Sequence, residues 1–351
     1  MATLADVARR AGVSTATASR IINGSPKPVT EELRARVLAA VAELRYVPNA
    51  HAQMLARSNR NTVGVLVHDV SDPYFAEITR GLQQVATAGG RLTIICNTFR
   101  EPARELEYID LLHAHQVAAI VVAGSGYLSS DVEQELDARM TAFEATGGRI
   151  AVIGRHHHAS DAVLPANEEG GYLAGSHLFE LGHTSVGVIA GPAALTTTAD
   201  RLAGLQRAAS AQGRSLTVTH SDFTRDGGET AAAALLASDP TITAIAALND
   251  SMAVGALAAM RSAGRFLSII GFDDMPIARD VTPALTSIRL PLTDLGKRAM
   301  ELALDPPPPN TAPRVEKVPA ELVRRDSTWP TTARLPPASE ASMSGWPVRP
   351  S

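Results

Sequence analysis

The sequence predicts an α/β protein with a small three-helix head and a two-lobed body built on parallel sheets. Three observations carry that expectation. The first 48 residues hold three capped helical stretches and no strand pattern. From Val63 onward, short apolar runs alternate with amphipathic helices, as parallel strands covered on both faces require. The alternation fills two blocks, roughly 62–160 and 163–285, enough for two lobes with a crevice between them.

In the head, Thr3 can cap a helix whose apolar positions are Leu4, Val7, Ala8 and Ala11, with Asp6 three residues after the cap and Gly12 as its stop. Ser14 can cap a second helix carrying Ala18, Ile21 and Ile22 on one face, ended by Asn23-Gly24. Thr30 caps a third, with Glu31 and Glu32 in the favourable first turn and Leu33, Val37, Val41 and Leu44 at helical spacing. Residues 49–61 (NAHAQMLARSNRN) form a short helical candidate whose one clear large apolar pair is Met54 and Leu55, too short to be stable alone in water.

In the body, "TVGVLVHDV" reads as a buried strand, "SDPYFAEITRGLQQVATAGG" as loop and helix, and "RLTIICNTF" as the next strand. A helix near 104–116, strand "VAAIVVAG", a helix near 131–146 and strand "RIAVIG" complete the first block. The second begins with helix "EEGGYLAGSHLFELGH" and strand "TSVGVIAG". Helices "TADRLAGLQRAASAQG" and "DGGETAAAALLAS", strand "AIAALN", helix "SMAVGALAAMRSAG" and strand "LSIIGF" follow. "EKVPAELVRR" can supply a closing strand, and the Pro- and Ser-rich residues 327–351 read as a disordered tail.

Charge is unevenly spread. Residues 1–60 hold nine basic and four acidic residues, so a head of +5 sits on a body of −9 within a net −4. That asymmetry suits a polyanionic partner at one end. The single cysteine, Cys96, excludes an internal disulfide framework and points to a reducing compartment. The N-terminal residues carry Asp6 and no apolar h-region, so no secretory signal is expected. No segment is long and apolar enough to span a bilayer, and a cytoplasmic location is expected. The run His156–His158 invites a metal reading, but adjacent loop residues rarely aim at one ion, so solvent-facing histidines and no metal or other cofactor are expected. "GPAALTTTAD" lacks a phosphate-loop lysine, "GFDD" lacks a magnesium partner set, and Ser71 or Ser125 makes no triad without a placed histidine. No enzymatic activity is expected.

Several ordered motifs carry a resemblance. Thr3–Gly24 followed by "VTEELRARVLAAVAELRYVPN", then "VGVLVHDVSDPYFAEITRGL", "EEGGYLAGSHLFELGHTSVGVIAGP", "DRLAGLQRA", "LNDSMAVGALAAM" and "GFDDMPIARDVTPALTSI" resemble the lactose-repressor/galactose-repressor (LacI/GalR) family of bacterial transcription regulators, over residues 3 to about 326. The resemblance implies a helix-turn-helix DNA-binding domain at 1–48, a hinge helix and linker at 49–61, and a two-lobed, periplasmic-binding-protein-like effector and dimerisation domain at 62–326. Its N-lobe would be 62–161 plus about 290–320, and its C-lobe 162–289 plus the closing segment.

Within that likeness Leu4–Ala11 is the first helix and Thr15–Asn23 the recognition helix. Thr15, Ala16, Thr17 and Arg20 are the candidates for the major groove: a hydroxyl reads several base edges, Ala16 can meet a thymine methyl, and Arg20 can grip guanine bidentately. Ser14, Ser19, Asn23 and Thr30 would position phosphates. Leu55 aligns with the family's minor-groove wedge, and Gln53 stands where arginine is common.

For the crevice, the resemblance implies effector contacts at Tyr74, Phe75, Arg201, Phe223, Asn249 and Asp273, with Asp69, Asp72, Arg155, Asn167 and Asp250 as rim or neighbouring candidates. Phe75 also has a plain core-packing reading and ranks below Tyr74. Two departures stand out. Ala166 occupies a position where the family often has aspartate, and the connection before Phe266 is shortened. The aromatic and carboxylate inventory favours a sugar-like effector over a purine. The expected partners are an approximately palindromic operator duplex, a small effector and a second copy of the chain. A carbohydrate-binding module would fit 62–326 but not the basic head. A nucleotide-dependent enzyme would need a glycine fingerprint or nucleophile that is absent after the first strand.

Overall fold

The computed structural model describes residues 2–22, 29–46, 61–308 and 311–332. Two units partition the chain at Arg60/Asn61. In the first, helix α1 spans Leu4–Ala11, α2 Thr15–Ile22 and α3 Glu31–Glu43. The α1 start is a reciprocal box: Thr3 Oγ1 accepts from the Asp6 N–H (3.2 Å) and Asp6 Oδ2 accepts from the Thr3 N–H (3.0 Å). Gly12, at φ +65°, ends α1 in the left-handed conformation and lets the chain turn into α2. Val7, Ala8, Ala11, Ala18, Ile21, Val37 and Ala40 form the head's own core. Small residues let the helices approach closely, and Arg36 Nη2 donates to the Ala11 carbonyl (2.5 Å) to tie α3 to α1.

The second unit holds two six-stranded sheets of matching order. The first sheet contains β1 (Thr62–Val67), β2 (Leu92–Asn97), β3 (Ala119–Ala123), β4 (Ile150–Ile153), β5 (Asp161–Pro165) and β11 (Val315–Val318), ordered β11-β5-β4-β3-β1-β2 and wholly parallel. The second contains β6 (Ser185–Ala190), β7 (Ser215–His220), β8 (Ala244–Ala247), β9 (Ser268–Asp273), β10 (Thr286–Arg289) and β12 (Glu321–Val323), ordered β12-β10-β9-β8-β6-β7. Only β12 in that sheet runs antiparallel, on β10. Helices α4 (Pro73–Ala88), α5 (Pro102–Ala114), α6 (Ser130–Ala145) and α12 (Leu292–Leu304) cover the first lobe. The second lobe carries α7 (Asn167–Glu180), α8 (Thr196–Ala211), α9 (Arg225–Ser238), α10 (Asp250–Ala263) and the single turn α11 (Ile277–Asp280). The central strands are buried on both faces, which is why they read as unbroken apolar runs.

Helix pairs meet at glycine. A Cβ on Gly81 of α4 would stand 1.9 Å from the Thr293 carbonyl oxygen, and one on Gly296 of α12 would stand 2.0 Å from that of Ile78. The two backbones therefore touch across a gap that no side chain could occupy. Among the described residues, no helix is long and apolar enough to cross a membrane.

Three readings of the sequence need correction. The crossing into the second lobe falls after Pro165 rather than at 161/162, because β5 pairs with β4 and β11. "EKVPAELVRR" supplies two strands, one for each sheet, rather than one closing strand. Residues 327–332 are not part of a tail: Ser327 and Thr328 are buried, Ser327 Oγ donates to the Ile269 carbonyl (2.6 Å), and Trp329 packs on the core. Residues 333–351 lie outside the described ones.

Candidate effector crevice and DNA-reading face

The matching sheet orders fix where a site can form. In each lobe the connections on either side of the first strand leave in opposite directions, which opens a crevice at the carboxyl ends of the strands. His68 follows β1, Ser125 follows β3, Asn249 follows β8 and Asp273 ends β9; all four line one crevice. Asp72, Tyr74, Phe75 and Arg100 complete the N-lobe wall, and Thr197, Arg201 and Phe223 the C-lobe wall.

Arg201 is the buried centre of the C-lobe wall, 2% exposed. Its Nε donates to Asn167 Oδ1 (2.9 Å), Nη1 to the Leu248 carbonyl (2.5 Å) and Nη2 to Asp273 Oδ1 (2.8 Å), while its guanidinium lies 3.8 Å from the Phe272 ring centroid. Burial pushes the Asp273 carboxyl up to about 6 although Arg201 pulls it down. Asn249 Oδ1 accepts from the Met252 N–H (2.8 Å) to cap α10, and its Nδ2 donates to the Phe223 carbonyl (2.9 Å). Phe223 (φ +69°), Asp273 (+99°) and Arg100 (+60°) all occupy the left-handed half of backbone space. Such conformations cost about 1–3 kcal/mol each and persist where the surroundings enforce them.

On the N-lobe wall, Asp72 Oδ1 accepts from the Tyr74 N–H (3.0 Å) and so caps α4. Tyr74 and Phe75 meet edge to face at 4.9 Å, and Phe75 meets the His68 ring at 5.4 Å. His68 Nε2 accepts from the Ser125 N–H (3.3 Å), which leaves the proton on Nδ1 to face Thr98 Oγ1 (3.1 Å). Burial, with Arg100 and His156 nearby, pushes its pKa down to about 3, so the ring is neutral.

The two lobes touch along one edge of the crevice. Ser125 Oγ donates to Thr197 Oγ1 (2.6 Å), the Thr196 N–H to the Gly126 carbonyl (2.9 Å) and the Leu128 N–H to the Ala194 carbonyl (2.8 Å). Tyr127 and Leu195 form an isolated antiparallel bridge, and Arg155 pairs with Asp200 at 2.6 Å.

All six principal crevice candidates, Tyr74, Phe75, Arg201, Phe223, Asn249 and Asp273, therefore line one cavity, and Asp72 joins them. The other rim candidates do not. Asp69 bonds the Ser71 amide and hydroxyl, and Arg155 is held by Asp200. Asn167 stands behind Arg201. Asp250 is fully buried, accepting from Ser287 Oγ (2.6 Å) and the Met275 N–H (2.7 Å). His68, Arg100, Ser125 and Thr197 were not singled out as lining residues in the sequence, because each sits on a loop or helix start with no local pattern.

The histidine run also differs from expectation. His156 Nε2 lies 3.0 Å from the Gly124 carbonyl, and His158 is clamped between Asp137 (2.7 Å) and Glu144 (3.2 Å), so two of the three rings are engaged within the lobe. Among the described residues no group of three His, Cys, Asp or Glu is placed to hold a metal ion.

In the head, α2 turns Ala18 and Ile21 inward and leaves Thr15, Ala16 and Arg20 exposed. Ser14 Oγ accepts from the Thr17 N–H (3.1 Å) and lies 2.9 Å from Thr17 Oγ1, so both hydroxyls serve the helix start. Thr30 Oγ1 accepts from the Leu33 N–H (3.4 Å). Ser19 is partly buried on the same helix. Asn23, Gln53 and Leu55 lie outside the described residues.

Comparison with known proteins places both units. Residues 3–49 match the family of bacterial regulatory proteins of the lacI type, and residues 60–322 match the periplasmic binding proteins and sugar-binding domain of the LacI family. The chain is 36% identical over 344 residues to the transcriptional regulator GalR of Escherichia coli K12, covering 93% of this chain and 96% of that protein. It is 34% identical over 314 residues to the transcriptional repressor PurR of Edwardsiella ictaluri, covering 87% and 90%. Among solved structures, the lac repressor dimer bound to operator and the anti-inducer ONPF superposes with a TM-score of 0.81 at 26% identity, over 93% of this chain and 99% of that one. The CelR–cellobiose complex gives 0.68 at 27% identity, over 93% and 100%. With a helix-turn-helix head and a two-lobed crevice matched along nearly its whole length, the chain belongs to the LacI family of DNA-binding bacterial transcription regulators.

Proposed function

We propose that the protein is a repressor that binds an approximately palindromic operator as a homodimer and answers to a sugar-like effector held in the crevice. The observation that carries the effector half is the crevice wall itself. Asp273 and Asp72 each keep a carboxylate oxygen for hydroxyl groups, and Tyr74 and Phe223 offer ring surface to an apolar sugar face. The CelR structure is a complex with cellobiose, and another similar structure, from Enterococcus faecium, holds ribose.

On the DNA, Thr15, Ala16, Thr17 and Arg20 would face the major groove, and Ser14, Ser19, Asn23 and Thr30 would orient the head against phosphates. Gln53 and Leu55 would meet the minor groove, where an apolar wedge opens a base step. Two heads related by a two-fold axis read two half-sites, which is why the operator is expected to be near-palindromic. An effector with different affinity for the DNA-competent and incompetent states then shifts the population between them.

Selection of binding sites from random duplex DNA, followed by an effector screen on the selected operator, tests both halves. Arg20→Ala should weaken operator binding about 5- to 150-fold, the worth of one bidentate base contact, and relax preference at one position of each half-site. Failure to enrich any sequence would sink the regulator reading. Unchanged affinity and salt dependence in Arg20→Ala would remove that residue from the interface.

A further inference from the structure

Two guanidinium groups line the crevice, and they are in opposite situations. Arg201 is engaged: each of its three nitrogens donates one bond, to Asn167, Leu248 and Asp273. Arg100, on the loop after β2, takes part in no hydrogen bond or ion pair with any described residue, and its Nε is buried with no acceptor. Across the crevice the Phe223 ring centroid lies 5.5 Å from its Cζ. A ring at that distance answers part of the charge but accepts none of the N–H bonds. Asp72, Asp222 and Asp69 are close enough for Arg100 to feel their charge, yet none pairs with it. Their oxygens instead accept the Tyr74, Thr224 and Ser71 amides.

Burying Nε without an acceptor is unfavourable even though the residue as a whole stays partly exposed, and the loop holding it is itself strained, with Phe99 at φ +52° and Arg100 at +60°. A crevice so arranged is half-complete. It presents carboxylate oxygens for hydroxyls near Asp273 and a planar, five-donor fork with nothing to grip near Arg100. Carboxylate and phosphate match that fork with two parallel bonds; a hydroxyl matches neither its charge nor its geometry.

We propose that the effector is a sugar acid or sugar phosphate whose anionic group is bound by Arg100, the residue that selects charged sugars over neutral ones. This rests on the sugar-effector reading above. It makes Arg100 a specificity determinant in a wall whose other polar groups suit any polyol.

Calorimetry on the full chain tests it. D-galactose, D-glucose and D-ribose are each titrated beside their aldonate and their terminal phosphate ester, into wild type, Arg100→Gln and Arg100→Lys. One anionic member should bind at least tenfold tighter than its neutral parent, and the carboxylate and phosphate arms show which anion is meant. Arg100→Gln should erase that preference, costing the anionic member at least tenfold more affinity than it costs the neutral parent, and Arg100→Lys, which keeps charge without the fork, should retain part of it. The wild-type comparison of charged and neutral ligands stands by itself if a variant fails to fold. A neutral sugar binding as tightly as both its anionic forms, or a preference that survives Arg100→Gln, overturns the inference and leaves the sugar reading intact. If no ligand of either charge binds, the sugar reading fails and the inference with it.

Discussion

Replacing Arg201 by methionine keeps much of the side-chain volume and removes the guanidinium, so the loss can be set against named contacts. Asn167 Oδ1 and the Leu248 carbonyl each lose a donor, and Asp273 loses its counter-charge in a site where it is 3% exposed. Two orphaned neutral acceptors cost about 2 kcal/mol together at the low end of the usual range. The carboxylate adds a pH-dependent part. Its folded pKa, about 6, lies above the ordinary value of about 3.9 for an unfolded chain. The folded state therefore holds more protons than the unfolded one between those values. Stability from this group is present below pH 4 and is lost as pH rises through 6. Without Arg201 the folded pKa moves higher still, and the window of loss extends past neutrality. Arg201→Met should thus cost about 2 kcal/mol at pH 5.5 and about 4 kcal/mol at pH 8, the latter in the range for breaking a buried pair. Urea denaturation followed by circular dichroism and by the fluorescence of Trp329, which packs on this lobe, reads both values. A loss below 1 kcal/mol at pH 8, or one equal at the two pH values, would refute the reasoning.

Three further outcomes follow from geometry. Gly81→Ala should destabilise the protein by about 3 kcal/mol or more, because its Cβ would stand 1.9 Å from the Thr293 carbonyl oxygen and force α4 from α12. Gly213→Ala, at φ +61° in open space, should cost only about 1 kcal/mol; equal midpoint shifts for the two would contradict the close-contact account. Asp200→Ala removes a half-exposed pair and should change global stability by less than about 1 kcal/mol. Hydrogen exchange at the Thr196 and Leu128 amides, which bridge the lobes, should nevertheless quicken in that variant, and unchanged exchange would show that the pair does not hold the lobes together.

Much of the architecture was legible because its signals are local. Thr3, Gly12 and Thr30 mark helix ends by side-chain chemistry alone, and the buried central strands announce themselves as apolar runs. Strands β5, β7 and β10 were not read. β7 is an edge strand with alternating exposure, while β5 and β10 are four or five residues long and contain Asp161, Ser287 and Arg289. Their pairing depends on partners far along the chain, as when Ala162 meets Val315. The crevice shows the same division. Tyr74, Arg201, Phe223, Asn249 and Asp273 were marked by motif, whereas Arg100 became visible only when the fold brought its loop opposite Phe223. Asp250 and Asn167 sit in the same motifs, but one side chain is fully enclosed and the other is occupied by Arg201. Sequence spacing does not distinguish a wall from the frame behind it.

The chain passes between the lobes three times, after Pro165, after Arg289 and after Val318, and these passages lie side by side. Val318 is in register with Pro165 and accepts the Ala166 N–H, while Arg289 is in register with Glu321. One strap would let two plates swivel freely. Three straps laced together resist twist and slip and leave bending across their common line as the soft direction. With a glycine-locked helix pair stiffening a plate, the second unit is a book with a three-cord spine. It can open and shut, but its pages cannot slide.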